Sequence, residues 1–154
     1  MRDSLGVTGE LMRIPALLVL LLAVQARASA QAAPQSIVVK GLETLASGHC
    51  RDAINGWTTA WTGQDAFKRT ELINGCDYLD QIGTIHGYDI LNVTDVTPHL
   101  QRVYVLLRYE NQPVYLLVLA YEPKDEWKIV TVTWNTDPDK VLPPELVPAQ
   151  HRGP

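Results

Sequence analysis

This 154-residue chain lacks most of the signatures that announce a chemistry. It has only two cysteines and no C-x-x-C pair. That removes the redox dithiol and the thiolate metal site. Its four histidines, His49, His86, His99 and His151, are too scattered for ligand spacing. There is no Ser/His/Asp or Cys/His nucleophile arrangement and no Gly-rich phosphate loop, so no cofactor is implied. There is no basic block either. Residues 31–154 carry ten Lys/Arg against fifteen Asp/Glu with alternating signs, which argues against nucleic acid. Internal repeats and low-complexity tracts are also missing.

The longest apolar run is short as well. Ile14 to Val24 is eleven residues, whereas a membrane span needs about 20. Arg13 precedes it, and Ala28-Ser29-Ala30 follows as a small-x-small cleavage site. That order predicts a secretory signal peptide over residues 1–30. Met12 is an alternative start, because residues 12–30 form a complete signal by themselves. A retained N-terminal anchor is the competing reading. No Cys lies near the cleavage point for a lipid anchor. We therefore expect export to a periplasm or outside the cell, with no membrane attachment after cleavage.

Residues 31–142 are enough for one domain with one core. Pro143-Pro144 to Pro154 reads as a loosely held Pro-rich tail. In an exported protein, Cys50 and Cys76 most simply form one disulfide.

Helical spacing of apolar residues covers Ser36 to Ala46, then Cys50 to Trp61 after an interruption at Ser47-Gly48. A third helix, capped by Asp65, is expected to reach Leu79. Tyr88 to Val96 reads as an edge strand because Asp89, Asn92 and Asp95 interrupt it. Leu100 to Trp134 holds three β-rich runs broken by short polar turns, the pattern of an antiparallel meander. Asp137-Pro138 predicts a cap and a one-turn helix. The fold class expected is α+β, with N-terminal helices on a curved four-stranded meander.

Register decides which strand residues share a face. A two-residue turn at Asn111-Gln112 pairs Tyr109 with Val114, Leu107 with Leu116, Val105 with Val118 and Val103 with Ala120. That aliphatic face should meet the helices. The opposite face would carry Arg102, Tyr104, Leu106, Arg108, Tyr115, Leu117, Leu119 and Tyr121. An even-length loop before Trp127 adds Lys128, Val130, Val132 and Trp134 to it. Tyr and Arg are enriched at interfaces. One helical layer covers only one face, so this second face is expected to meet another subunit or exported protein, most simply as a homodimer. A wet, exposed face is the alternative.

This order of elements resembles the nuclear transport factor 2-like, or cystatin-like cone, superfamily. The echoes are Leu45-Ala46-Ser47-Gly48 before the second helix, and Ile82-Gly83 with Gly87-Tyr88 after the third. Glu126-Trp127-Lys128-Ile129 in the last strand and Asn135-Thr136-Asp137 closing it complete them. The resemblance implies a curved sheet wrapping the helices, a pocket at the wide end and dimerisation through the sheet. It does not choose among isomerases, dehydratases and binding proteins.

For acid–base chemistry in such a cone the candidates are Asp77, Asp80 and Asp89 as bases, with Tyr88, Tyr78 and His86 as donors. Solvated acids at a helix end are the plainer reading. Trp57 and Trp61, one turn apart, would line a pocket with Tyr78 and His86, or pack as core. Asn92-Val93-Thr94 matches a glycosylation sequon inside a strand and is set aside. The expectation is an exported domain without catalytic activity that binds a small apolar ligand or a protein. The rival is a small isomerase or lyase, and a purely structural role is the third possibility.

Overall fold

A computed structural model describes residues 32–147. The expected signal peptide lies outside them. Helices α1 (Ser36–Ala46), α2 (Cys50–Trp57) and α3 (Asp65–Ile82) come first. Strands β1 (Ile85–Thr97), β2 (Leu100–Tyr109), β3 (Pro113–Tyr121) and β4 (Lys128–Asn135) follow as one antiparallel sheet in the order β1-β2-β3-β4. The α+β class and the edge position of β1 agree with the sequence. No helix among the described residues is long and apolar enough to cross a membrane.

Two helix boundaries differ from expectation. α2 stops at Trp57, not Trp61. The Thr58 hydroxyl donates to Ile54 O at 2.7 Å, and Thr59 does the same to Asn55 O at 2.8 Å. Such back-bonding competes with continuation of the helix. Arg69 from α3 then donates to the carbonyls of Thr58 and Trp61, closing the frayed end. Asp65 is the first residue of α3, after an uncapped Gln64, and the helix runs on to Ile82.

The helices lie on one face of the sheet. Val38, Leu42, Leu45, Ile54, Cys76 and Leu79 are buried with Val103, Val105, Leu107, Leu116, Val118 and Ile129. Two glycines permit the close approaches. A Cβ on Gly41 would stand 2.0 Å from the Trp57 indole, and one on Gly75 would stand 2.5 Å from Trp134. Cys50 and Cys76 form the expected disulfide, with Cα atoms 5.8 Å apart, and tie α2 to α3. Gln101 is 1 % exposed and fully used. Its Oε1 accepts from Gln35 N, and its Nε2 donates to Ala33 O and Asp95 Oδ1.

The meander's register is shifted by two residues from the expected one. Val103 pairs with Val118, Val105 with Leu116 and Leu107 with Val114. The expected two-residue turn needs a donor at Pro113, and proline has none. Glu110 N instead donates to Thr84 O at 2.9 Å. Because side chains alternate with period two, a two-residue shift leaves every face assignment in β2 and β3 intact.

In β4 the faces do change. A bulge at Val130 moves the pairing from Ala120–Ile129 to Leu119–Thr131. Ile129, Val132 and Trp134 therefore all turn toward the helices. Trp134 pairs with Leu116, and its ring stacks on Tyr78 at 5.8 Å. The placement of Val132 and Trp134 on the Tyr/Arg face is corrected by this one extra residue.

The expected loose tail is corrected as well, as far as Val147. Asp137 caps a one-turn 3-10 helix, Pro138–Lys140, with Asp139 N donating to its carboxylate at 3.1 Å. The chain then lies over the outer face of the sheet. Val141, Leu142 and Val147 are buried with Tyr104 and Tyr115, flanked by Leu91, Leu106, Leu117 and Leu146. The domain thus continues past 142. Residues 148–154 lie outside the described region.

Candidate functional site

At one end of the layered structure, three helix ends and two strand ends converge. α1 ends at Ala46-Ser47-Gly48, α2 begins at Cys50, and α3 ends at Asp80–Ile82. The last inward residue of β2, Tyr109, pairs with the first of β1, Ile85. Gly83, with φ of 115°, terminates α3 and turns the chain into β1. These elements enclose an open cleft of about 430 Å³. Its wall includes Leu45, Ser47, Cys50, Asp80, Ile85 and Tyr109.

The break between the first two helices makes this space. Gly48, at φ of 84°, takes a conformation that favours glycine. The chain turns there through bonds from Gly48 N to Leu45 O and from His49 N to Thr44 O. On the far side, Asn111 Nδ2 donates to Ile82 O at 2.6 Å and fixes the β2–β3 turn against the end of α3.

Tyr109 has a displaced ionisation. Burial, reinforced by the negative charge of Asp80, pushes its phenol from 10 up to about 12. At neutral pH it is a protonated hydroxyl, able to donate or accept a hydrogen bond. The Asp80 side is exposed to solvent.

The structure distributes the three candidate carboxylates to different tasks. Asp77 is exposed and pairs with Arg51. Asp89 points to the outer face and pairs with Arg108 at 3.2 Å. Only Asp80 reaches the cleft. Tyr88 is opposite Leu107 on the inner face, whereas Asp89 is opposite Leu106 on the outer one, so the two do not converge.

The four residues expected to line a pocket are not brought together. Trp57 and Trp61 are core, 2 % and 9 % exposed. Trp57 Nε1 donates to Ile37 O at 3.0 Å and Trp61 Nε1 to Ile129 O at 2.6 Å. Buried indoles need such partners, and both have them. Tyr78 is spent on Trp134 and on Gln112, whose Nε2 lies 3.3 Å from its hydroxyl. His86 is exposed on β1. None of the four lines the cleft. Sequence reasoning missed Tyr109, though its place as the last inward residue of β2 carried the signal.

The residues expected at an interface divide into two groups. Tyr104, Tyr115 and Leu117 lie under the C-terminal segment. Arg102, Arg108 and Tyr121 are exposed, and Leu119 is half-buried. Among the described residues no group of three or more His, Cys, Asp or Glu side chains is placed to hold a metal. The chain matches no protein-family model, no curated protein and no solved structure.

Proposed function

We propose that this chain is an exported binding domain that takes a small ligand in the end cleft and does no chemistry on it. The observation that carries the reading is the pairing of an open cleft with a phenol displaced away from neutrality. A general acid or base works best with a pKa near the working pH. Tyr109 is moved in the wrong direction for that task and in the right one for a standing hydrogen-bond partner. Asp80 is exposed, without the burial that usually tunes a catalytic carboxylate. A volume of about 430 Å³ suits a small molecule. The Cys50–Cys76 bridge is consistent with an oxidising, exported setting. The order of three helices and a four-stranded meander supports the nuclear transport factor 2-like resemblance.

Amide NMR of the oxidised protein against a small-molecule panel tests this reading. Shifts confined to the two helix breaks around the cleft, residues 45–50 and 80–85, and to Tyr109 are expected. Turnover of a panel compound, lost in Asp80→Asn, would replace binding by the isomerase or lyase reading. Export is tested by N-terminal sequencing of periplasmic protein, with Gln31 expected first.

Dimerisation through the outer sheet face keeps one observation in its favour. Tyr121 and Val130 are each 42 % exposed, and neither packs under the C-terminal segment. Sedimentation equilibrium at tens of micromolar distinguishes dimer from monomer, and Tyr121→Ser should weaken the dimer.

A further inference from the structure

We infer that the end cleft selects organic cations, specifically a small ammonium ion carrying a short apolar body. The inference rests on the binding reading above and gives its ligand a chemical class. Three features of the wall support it, each of a different kind.

The first is charge. Ten residues line the cleft, and Asp80 is the only charged one among them. It is exposed, and among the described residues no ion pair engages it, unlike Asp77 and Asp89. The basic group nearest in sequence on α2, Arg51, is committed to Asp77. An entering cation therefore meets a carboxylate without displacing a resident one from the wall.

The second is backbone polarity. α1 and α3 both end at this cleft, which is lined by Ala46 at the end of α1 and by Gly83 just past α3. A helix C-terminus carries partial negative charge, and neither helix has a basic residue in its last turn to offset it. α2 begins here with the opposite polarity, but Asp52 in its first turn counters that end. Asp52, Arg51 and His49 line the adjoining depression beyond Asp80 rather than the cleft itself.

The third is shape and apolarity. Leu45, Ile85, the Tyr109 ring and the Cys50 side chain supply an apolar wall beside the carboxylate. The Tyr109 phenol is protonated at neutral pH and adds no negative charge. It offers an aromatic ring and a hydroxyl. Cations are attracted to aromatic faces, and the attraction grows where water is partly excluded. An anion would meet Asp80 and two helix C-termini, and a neutral ligand would leave the carboxylate unmatched.

Three probes with one body separate the contributions: 2-phenylethylammonium, 2-phenylethanol and phenylacetate. Each is titrated into the oxidised protein and followed by amide shifts of residues 45–50, 80–85 and 109. The ammonium probe should bind at least about tenfold tighter than the alcohol, with phenylacetate weakest. That preference should shrink as salt rises, because the site is open. Asp80→Asn should bring ammonium and alcohol to within about twofold. Asp77→Asn, at a carboxylate outside the cleft, should leave the preference intact. Equal binding of all three probes at the cleft overturns the cation inference and leaves the binding reading standing. A preference untouched by Asp80→Asn overturns the assignment to that carboxylate. Absence of cleft shifts from every probe at millimolar concentration overturns both.

Discussion

The two faces of the sheet are both apolar at their centres, but they are covered in different ways. The inner face meets three helices. The disulfide and the Gly41–Trp57 contact hold helices to one another, and Gly75 against Trp134 holds α3 to the sheet. Among the described residues, the outer face is covered by the chain's own C-terminal segment, Pro138–Val147, centred on Val141 and Leu142. Local backbone bonds shape that segment: Lys140 N donates to Asp137 O, Leu142 N to Pro138 O and Leu146 N to Pro143 O. Side-chain burial against Tyr104 and Tyr115 contributes to holding it down. An apolar sheet face thus says that something must cover it. It does not say whether the cover is a helix layer, another molecule or the end of the same chain.

Substitutions on the two sides should differ accordingly. The largest effect is expected at Trp57→Ala, which empties a site 2 % exposed and removes the bond to Ile37 O. A loss of about 3–5 kcal/mol is the usual range for such truncations. Urea denaturation checks it, and a loss under 1 kcal/mol would remove Trp57 from the core. The double replacement Cys50→Ser/Cys76→Ser should cost about 3 kcal/mol by loop entropy. Thermal unfolding with and without reductant gives the same comparison without mutation.

On the outer face, Leu142→Ala should cost about 2 kcal/mol, the low end for buried leucines, because its cover is thin. Fluorescence of a hydrophobic dye should rise as Tyr104 and Tyr115 lose their cover. If that variant also dimerises while the parent does not, the segment and a second subunit compete for one surface. An effect as large as that of Trp57→Ala would erase the distinction between the faces.

The smallest effect concerns pH. Tyr109 holds its proton in the folded state up to about 12, against 10 when unfolded. Below pH 10 both states are protonated and its full contribution is present. Between pH 10 and 12 the unfolded state releases the proton first, so stability falls. Tyr109→Phe should remove that part of the decline, read as the difference between the two denaturation curves across this interval.

Much of the fold was legible from the sequence because faces depend on parity. The β2–β3 register was misplaced by two residues through Pro113, yet Val103, Val105 and Leu107 still faced inward. A one-residue error is not forgiven in the same way. The bulge at Val130 reversed Val132 and Trp134, and nothing in Lys128–Trp134 announces an extra residue. The C-terminal segment was misread because its prolines suggested looseness, while Val141, Leu142, Leu146 and Val147 carry the apolar spacing that docks it. At the candidate site, Asp80 was named and Tyr109 was not. Cleft walls are assembled from ends of elements, and the ends meet only after the register and helix lengths are known.

Gln101 sets an order on how this chain can come together. The backbone next to α1 is fastened through Gln35 N to a side chain 66 positions later, in the second of four strands. A chain that emerges N-terminus first would leave Gln35 N without this partner until that strand arrived. The closing of that amide clamp would mark the moment at which the start of the domain is tied to its sheet.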